Sequence, residues 1–136
     1  SGWLQTQKEK ANAQTQVNDL SIKIQSLNQS IHTLSGGNQQ KTVLAKWIST
    51  RPKLLLLDEP TIGVDVGAKH EIYTLMNKWT SQGIAIILIT SELPELLAMS
   101  DRILVMHRGR ITAEFSGQDA TQEKIMEAAL GESKAA

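Results

Sequence analysis

The chain of 136 residues is long enough for one domain that buries roughly two-thirds of its unfolded surface. Its 14 basic and 14 acidic residues cancel, so the composition indicates neither a nucleic-acid partner nor a lipid-surface partner. Cysteine is absent, which excludes disulfides and thiolate metal sites, and the longest apolar run, Ile84 to Ile89, is far shorter than the roughly twenty residues of a membrane-spanning helix.

The first fifty residues predict two helices. Residues 3–19 are rich in helix formers but carry a thin apolar stripe, which predicts an exposed helix of low stability. Residues 21–33 show no periodicity that assigns a structure. A second helix is predicted over residues 38–50, because apolar residues recur there at helical spacing. Its apolar face consists of Val43, Leu44, Trp47 and Ile48. We expect Trp47 to be a core anchor.

From residue 54 onward, strands alternate with helices. Leu54 to Leu57 is an apolar run of strand length, typical of a strand covered on both faces in a parallel sheet. A helix is predicted over residues 68–81, with Trp79 buried in its apolar stripe and Gly83 as its C-terminal cap. The later predicted elements are a strand at 84–90, a short helix capped by Ser91, a hairpin of strands 101–107 and 110–115, and a helix from Thr121 to Gly131. This alternation predicts an α/β fold with a parallel sheet flanked by helices.

Two acidic residues end the apolar run at 54–57. Side chains at the C-terminal end of a buried parallel strand emerge into the ligand crevice, and two carboxylates there are costly to bury without a cation or donors. Asp58 could therefore hold Mg²⁺, and Glu59 could position and polarise an attacking water. The competing interpretation is a buried strand followed by an ordinary acidic turn.

A glycine turn precedes the second predicted helix. Gly36 and Gly37 permit positive φ and a close backbone approach, and the N-terminus of the following helix offers free N–H groups to an anion. The competing interpretation is a plain cap, in which Ser35 satisfies a backbone donor. The chain contains no G-x-x-x-x-G-K-[ST] loop, so half of a nucleotide site is present without the loop that cradles phosphate.

In this order and spacing, the two motifs resemble those of the nucleotide-binding domain of ABC transporters. Leu34 to Gln39 is similar to the signature motif of that family, with Asn38 where the family usually has Gln. Leu54 to Glu59 is similar to the Walker B strand and its following glutamate. Thr61 to Asp65 resembles the D-loop, and Ser91 falls at the position of the switch histidine.

The finer resemblance is to bacterial monosaccharide importers of the ribose and galactose type, whose ATPase subunit carries two nucleotide-binding halves. The segments that resemble the C-terminal half are Asn38 to Lys41, Gly63 to Lys69 and Ser91 to Glu95. On this comparison the chain is truncated before the signature motif and lacks Walker A and the Q-loop. Ser91 offers a hydroxyl but no imidazole, so it cannot reproduce a cationic or proton-shuttling role.

The resemblance implies a partial P-loop NTPase (ABC ATPase) fold without the central Walker A strand. Residues 1–50 would be part of the helical subdomain with the signature motif, residues 51–131 the C-terminal part of the RecA-like core, and residues 132–136 a tail. Without the Walker A strand, two strand edges would lack a partner, and each buried unpaired group costs about 1–3 kcal/mol. We therefore expect the chain alone to close the gap, to self-associate or to swap segments.

Two domains of this family sandwich ATP head to tail, which implies that the chain serves two nucleotides. The residues that would contact one ATP are Ser35, Gly36, Gly37, Asn38 and Gln39. Asp58, as the Mg²⁺ ligand, would serve the other ATP together with Glu59 and Ser91, and Asp65 would be the D-loop aspartate. The chain would complete neither site, so we expect no hydrolysis by the chain alone, and no binding of ATP or Mg²⁺.

For the complete protein, the resemblance implies an ATP-binding and ATP-hydrolysing subunit that energises sugar import. Its partners would be the second nucleotide-binding half, a membrane permease and, indirectly, a periplasmic or lipid-anchored sugar-binding protein. Its location would be the cytoplasmic face of the membrane, as a peripheral protein. Two alternatives stay open: a catalytically degenerate half that binds nucleotide or contacts the permease, and a soluble ABC ATPase without a transport role.

Overall fold

A computed structural model describes residues 6–131, which form an α/β fold. The chain divides into two compact units, one ending at Ile87 and the other starting at Leu88. None of the helices found among these residues combines the length and the hydropathy of a membrane span. The predicted tail at 132–136 and the first residues of the predicted N-terminal helix lie outside the described residues.

The first unit begins with two helices. Helix α1 spans Thr6–Asp19, and most of its side chains are exposed, as its thin apolar stripe predicted. Residues 21–33, to which the sequence assigned no structure, include a 3₁₀ turn at Ile31–Thr33. Helix α2 spans Gly36–Ile48 and begins two residues earlier than predicted, because both glycines adopt helical backbone in its first turn.

A strand, a long helix and a second strand follow. They are β1 (Leu54–Asp58), α3 (Val66–Ser81) and β2 (Ala85–Ile89), and the chain passes from the first unit to the second within β2. Gly83, with a φ of +88°, turns the chain after α3 as predicted. Strands β1 and β2 are neighbours in a small parallel sheet, which confirms the predicted parallel pairing.

Strand β1 is covered on one face only. Leu55 and Leu57 are each 6% exposed, whereas Leu54 and Leu56 are 45% and 66% exposed. The prediction of a strand covered on both faces is therefore wrong for this structure, because residues 6–131 bury only alternate side chains of β1. Strand β2 also leaves apolar side chains exposed, at Ile87 and Ile89.

The second unit consists of two helices and the predicted hairpin. Its elements are α4 (Leu93–Met99), β3 (Arg102–His107), β4 (Arg110–Ser116) and α5 (Gln122–Leu130). Strands β3 and β4 pair antiparallel, and Arg108 and Gly109 form the turn with φ values of +47° and +78°. Thr121 caps α5 by accepting a hydrogen bond from the Lys124 amide, and Gly131 ends the helix in the left-handed conformation.

Each unit has its own apolar core. In the first unit, the predicted stripe of α3 is buried in full, namely Ile72, Leu75, Met76 and Trp79. In the second unit, the buried cluster is Ile103, Val105, Ile125 and Ala128.

Helix α2 is rotated relative to the face that we predicted. Trp47 is 54% exposed, so the expectation of a core anchor there is wrong. Leu44 is buried as predicted, but the residues buried beside it are Lys41 and Ala45, which directs Trp47 outward. There the Lys46 ammonium lies 5.4 Å from the centre of the Trp47 ring.

Candidate functional site

The carboxylates lie where the sequence predicted them, at the C-terminal end of β1. Asp58 is the last residue of the strand and is exposed, and Glu59 follows it half-buried. Glu59 has a φ of +45°, a left-handed conformation that costs a residue other than glycine about 1–2 kcal/mol.

The glycine turn is organised by side chains, but not by a side-chain cap. Ser35 has the extended backbone of an N-cap, yet its side chain makes no capping hydrogen bond. The Ser35 hydroxyl instead accepts a hydrogen bond from Asn38 Nδ2 at 2.9 Å. The plain-cap interpretation is therefore wrong in this detail, because the Ser35 side chain does not satisfy a backbone donor of α2. The first amides of α2 keep the polarity that attracts an anion.

The side chains of Asn38 and Gln39, which follow the glycines, hydrogen-bond to backbone groups on either side of the turn. Asn38 Oδ1 accepts a hydrogen bond from the Lys23 backbone N–H at 3.0 Å. Gln39 Nε2 donates to the Leu34 carbonyl at 2.8 Å. Sequence reasoning assigned Asn38 and Gln39 to nucleotide contact, and the structure places their side chains in bonds that shape the turn.

Asp65 lies at the N-cap of α3. Its Oδ1 accepts a hydrogen bond from the Ala68 backbone N–H at 3.0 Å. The residue therefore has the turn-and-cap role that its chemistry favours, at the end of the segment that resembles the D-loop. An N-cap carboxylate of this kind fixes the direction in which the loop enters the helix.

The N-termini of α2 and α3 meet at Gly37. A Cβ atom added to Gly37 would lie 2.4 Å from the Cβ of Ala68. From the sequence we expected the two glycines to permit positive φ and a close backbone approach. The structure shows the close approach but no positive φ at Gly36 or Gly37. Beside this contact is a cleft of about 180 Å³. Its polar lining includes Lys23, Ser35, Asn38, Lys41, Asp65 and Glu71.

Lys41 is the residue of this region that sequence reasoning missed. It is 2% exposed, and its Nζ donates hydrogen bonds to the Ser21 carbonyl and to Glu71 Oε2, both at 2.7 Å. Lys41 lies at helical spacing between Gly37 and Leu44, on the face that α2 buries, but the apolar pattern of the helix favours a different face.

Ser91 lies in the second unit, exposed in the turn between β2 and α4. We expected Ser91 to cap α4, but Glu92 takes the N-cap position. The Glu92 backbone N–H donates to Thr90 Oγ1 at 3.0 Å, because the threonine side chain reaches that amide from two residues away.

Within residues 6–131, no three His, Cys, Asp or Glu side chains gather as metal ligands.

Comparisons with known proteins agree with the fold and the motifs. Residues 4–62 match a family model described as "ABC transporter". The chain is 54% identical, over 96% of its length, to the ribose import ATP-binding protein RbsA of Bacillus licheniformis. It is 57% identical, over 88% of its length, to the xylose import ATP-binding protein XylG of Thermoanaerobacter pseudethanolicus. It covers 26% and 24% of those two proteins, about a quarter of their length.

Among solved structures, a nucleotide-free ATP-binding cassette from an ABC transporter matches with a TM-score of 0.76 and 25% identity. That match covers 96% of this chain and 50% of the cassette. The fold is thus the partial P-loop NTPase fold of an ATP-binding cassette. Residues 4–62 thus match the ABC transporter family model, and over most of its length the chain is similar to ribose and xylose import ATP-binding proteins.

Proposed function

We propose that this chain is part of the C-terminal nucleotide-binding half of an ATPase subunit that energises sugar import. The observation that carries the proposal is the contact between the N-termini of α2 and α3, which brings the signature turn at Ser35 and the N-cap Asp65 to one cleft. The identity to sugar import ATP-binding proteins supports the choice of transported substrate class. The sugar itself would be selected by the permease and the binding protein.

The chain would serve two different nucleotides. The signature turn, with its N-terminal helix amides at Gly36 and Gly37, would face the phosphates of one ATP. The Asn38 and Gln39 side chains would hold that turn in shape. The β1 carboxylates, with Ser91 at the switch position, would serve the second ATP. Each nucleotide would need a further stretch of protein that supplies the phosphate-cradling loop.

The carboxylates fit a magnesium nucleotide. Mg²⁺ in such sites is held by one or two carboxylates together with phosphate oxygens and water, and Asp58 offers one exposed carboxylate at the end of β1. Bound Mg²⁺ would neutralise charge that develops on the transferred phosphoryl group. Glu59 would orient the attacking water and accept its proton, and its strained backbone would fix the direction of the carboxylate.

The same assignment extends to domains, partners and location. Residues 1–50 would belong to the helical subdomain, residues 51–131 to the RecA-like core, and residues 132–136 to a tail. The partners would be the other nucleotide-binding half, a permease and, through it, a sugar-binding protein, at the cytoplasmic face of the membrane. On its own, the chain would self-associate through apolar strand side chains such as Leu56 and Ile89, which are 66% and 50% exposed.

Glu59→Gln in the complete subunit tests the proposal. The amide keeps the size of the side chain but cannot accept a proton, so we expect steady-state ATP hydrolysis at this half to fall by about 100-fold or more. Glu127→Gln, at an exposed position on α5, is the matched control and should leave the rate unchanged. Equal rates for Glu59→Gln and the wild type would contradict a catalytic role for this half.

Ser91 favours a second candidate function, a catalytically degenerate half. A hydroxyl cannot carry the charge of an imidazolium, which would weaken catalysis at this site without preventing nucleotide binding. Under this candidate, Glu59→Gln would leave hydrolysis by the complete subunit intact, while equilibrium binding of MgATP to this half would still be measurable. The two candidates therefore predict different rates of ATP hydrolysis for the Glu59→Gln subunit. The binding measurement shows that the nucleotide site of this half is still present.

A further inference from the structure

Lys41, in the first unit, is unusual for a lysine because its side chain is buried. Its side chain is almost fully buried, whereas its carboxylate partner Glu71 is 50% exposed. Burying an ammonium is costly unless it is paired and hydrogen-bonded, and well-packed apolar residues of similar volume are often at least as stable in such places. The ion pair is therefore better explained by geometry that it fixes than by stability that it adds.

The ammonium joins three segments of the chain. Lys41 belongs to α2, Glu71 belongs to α3, and the Ser21 carbonyl belongs to the turn that follows α1. Both bonds are 2.7 Å long and charge-assisted, which makes them short and directional. Ser21 itself has a φ of +50°, so the backbone adopts a strained conformation where its carbonyl meets the lysine.

The ion pair lies one helical turn behind the functional turn. Lys41 is four residues after Gly37 on α2, and Glu71 is three residues after Ala68 on α3, so they lie about 6 Å and about 4.5 Å along their helices from the contact. The pair draws the helices together, while the contact between Gly37 and Ala68 limits how closely they approach. The two interactions together set the spacing between the signature turn and Asp65.

We propose that Lys41 is a positioning residue for ATP hydrolysis, which holds the signature turn in register with the D-loop without touching nucleotide. The proposal rests on the function proposed above, because it concerns the same two segments. Misplacement of a catalytic segment by about 1 Å can cost about 100-fold in rate. We therefore expect a loss of activity that is out of proportion to any loss of stability.

The test compares variants of the complete subunit. Lys41→Met keeps the length of the side chain and removes the charge, and should lower kcat/KM for ATP about 10- to 100-fold. Lys41→Arg should retain more activity than Lys41→Met. Lys46→Met, on the exposed side of the same helix, is the matched control and should behave as wild type. Hydrogen exchange at the amides that follow Asp65 should rise in Lys41→Met but not in Lys46→Met.

A charge exchange keeps the test decisive if Lys41→Met does not fold. Glu71→Gln should lower kcat/KM in the same direction, and Lys41→Glu combined with Glu71→Lys should recover part of the loss that Lys41→Glu causes alone. The proposal is overturned if Glu71→Gln matches Lys46→Met in both kcat/KM and hydrogen exchange. If Glu59→Gln still lowers hydrolysis in the same assay, that result overturns the role of Lys41 and leaves the proposed function standing.

Discussion

Gly37→Ala tests the helix contact on which the site geometry depends. The added Cβ would lie 2.4 Å from the Cβ of Ala68, and ordinary contact begins at 3.4 Å, so the two helices must separate locally by about 1 Å. Overpacking of this kind costs about 1–3 kcal/mol. We expect the free energy of unfolding to fall by that amount, measured by urea denaturation of the chain at one fixed concentration. Tryptophan fluorescence follows the transition, since Trp79 in the same unit is 4% exposed and becomes solvated on unfolding.

Two further variants separate sterics from other effects. Gly36→Ala is the matched control, because its nearest neighbour would be the Gly63 carbonyl oxygen at 3.5 Å, an ordinary contact. It should leave stability unchanged or slightly raised, since alanine favours helix. Ala68→Gly should rescue part of the Gly37→Ala loss by removing the atom that clashes. The reasoning is refuted if Gly37→Ala is as stable as Gly36→Ala.

Three further expectations concern stability, measured by urea or thermal unfolding. Trp79→Ala should destabilise by about 3–5 kcal/mol, whereas Trp47→Ala should cost far less because its ring is mostly exposed; equal losses would contradict the assigned rotation of α2. Arg108→Asn should stabilise by a few tenths to about 1 kcal/mol, because asparagine tolerates the positive φ of the hairpin turn, and a loss would oppose this account. The hydrogen bond from Arg102, and then the charge of Arg102, lower the pKa of Glu114. The stabilisation that this pair gives the folded state is therefore fully present above the unfolded pKa near 4.5, and it is lost as the pH falls through the lowered pKa. Glu114→Gln should remove this pH-dependent difference, which a salt titration should also reduce because the pair is exposed.

Local sequence signals were sufficient where one segment determines its own structure. The four-residue stripe of α3 fixes which face of the helix is buried, because no polar residue competes for that face. Thr121 and Gly131 mark the two ends of α5 through capping chemistry alone. The hairpin turn follows from Gly109 in the same way, since positive φ is required there.

The sequence was insufficient where a distant segment decides the outcome. The apolar pattern of α2 favoured Trp47 as its inner residue, but a carboxylate on α3 and a carbonyl after α1 stabilise Lys41 on that face. The apolar run of β1 predicted two covered faces, and coverage depends on neighbours that the run does not encode. The sequence predicted that the Ser35 hydroxyl caps α2, but Asn38 Nδ2 donates its hydrogen bond to that hydroxyl instead.

We propose that the chain contributes to two nucleotide sites and completes neither. The decisive measurement is the hydrolysis of MgATP by the 136-residue chain alone, compared with its Glu59→Gln variant. We predict that both proteins show no turnover above background and no saturable ATP binding, because the sequence holds no phosphate-cradling loop. Measurable turnover by the chain alone that Glu59→Gln abolishes would contradict the account.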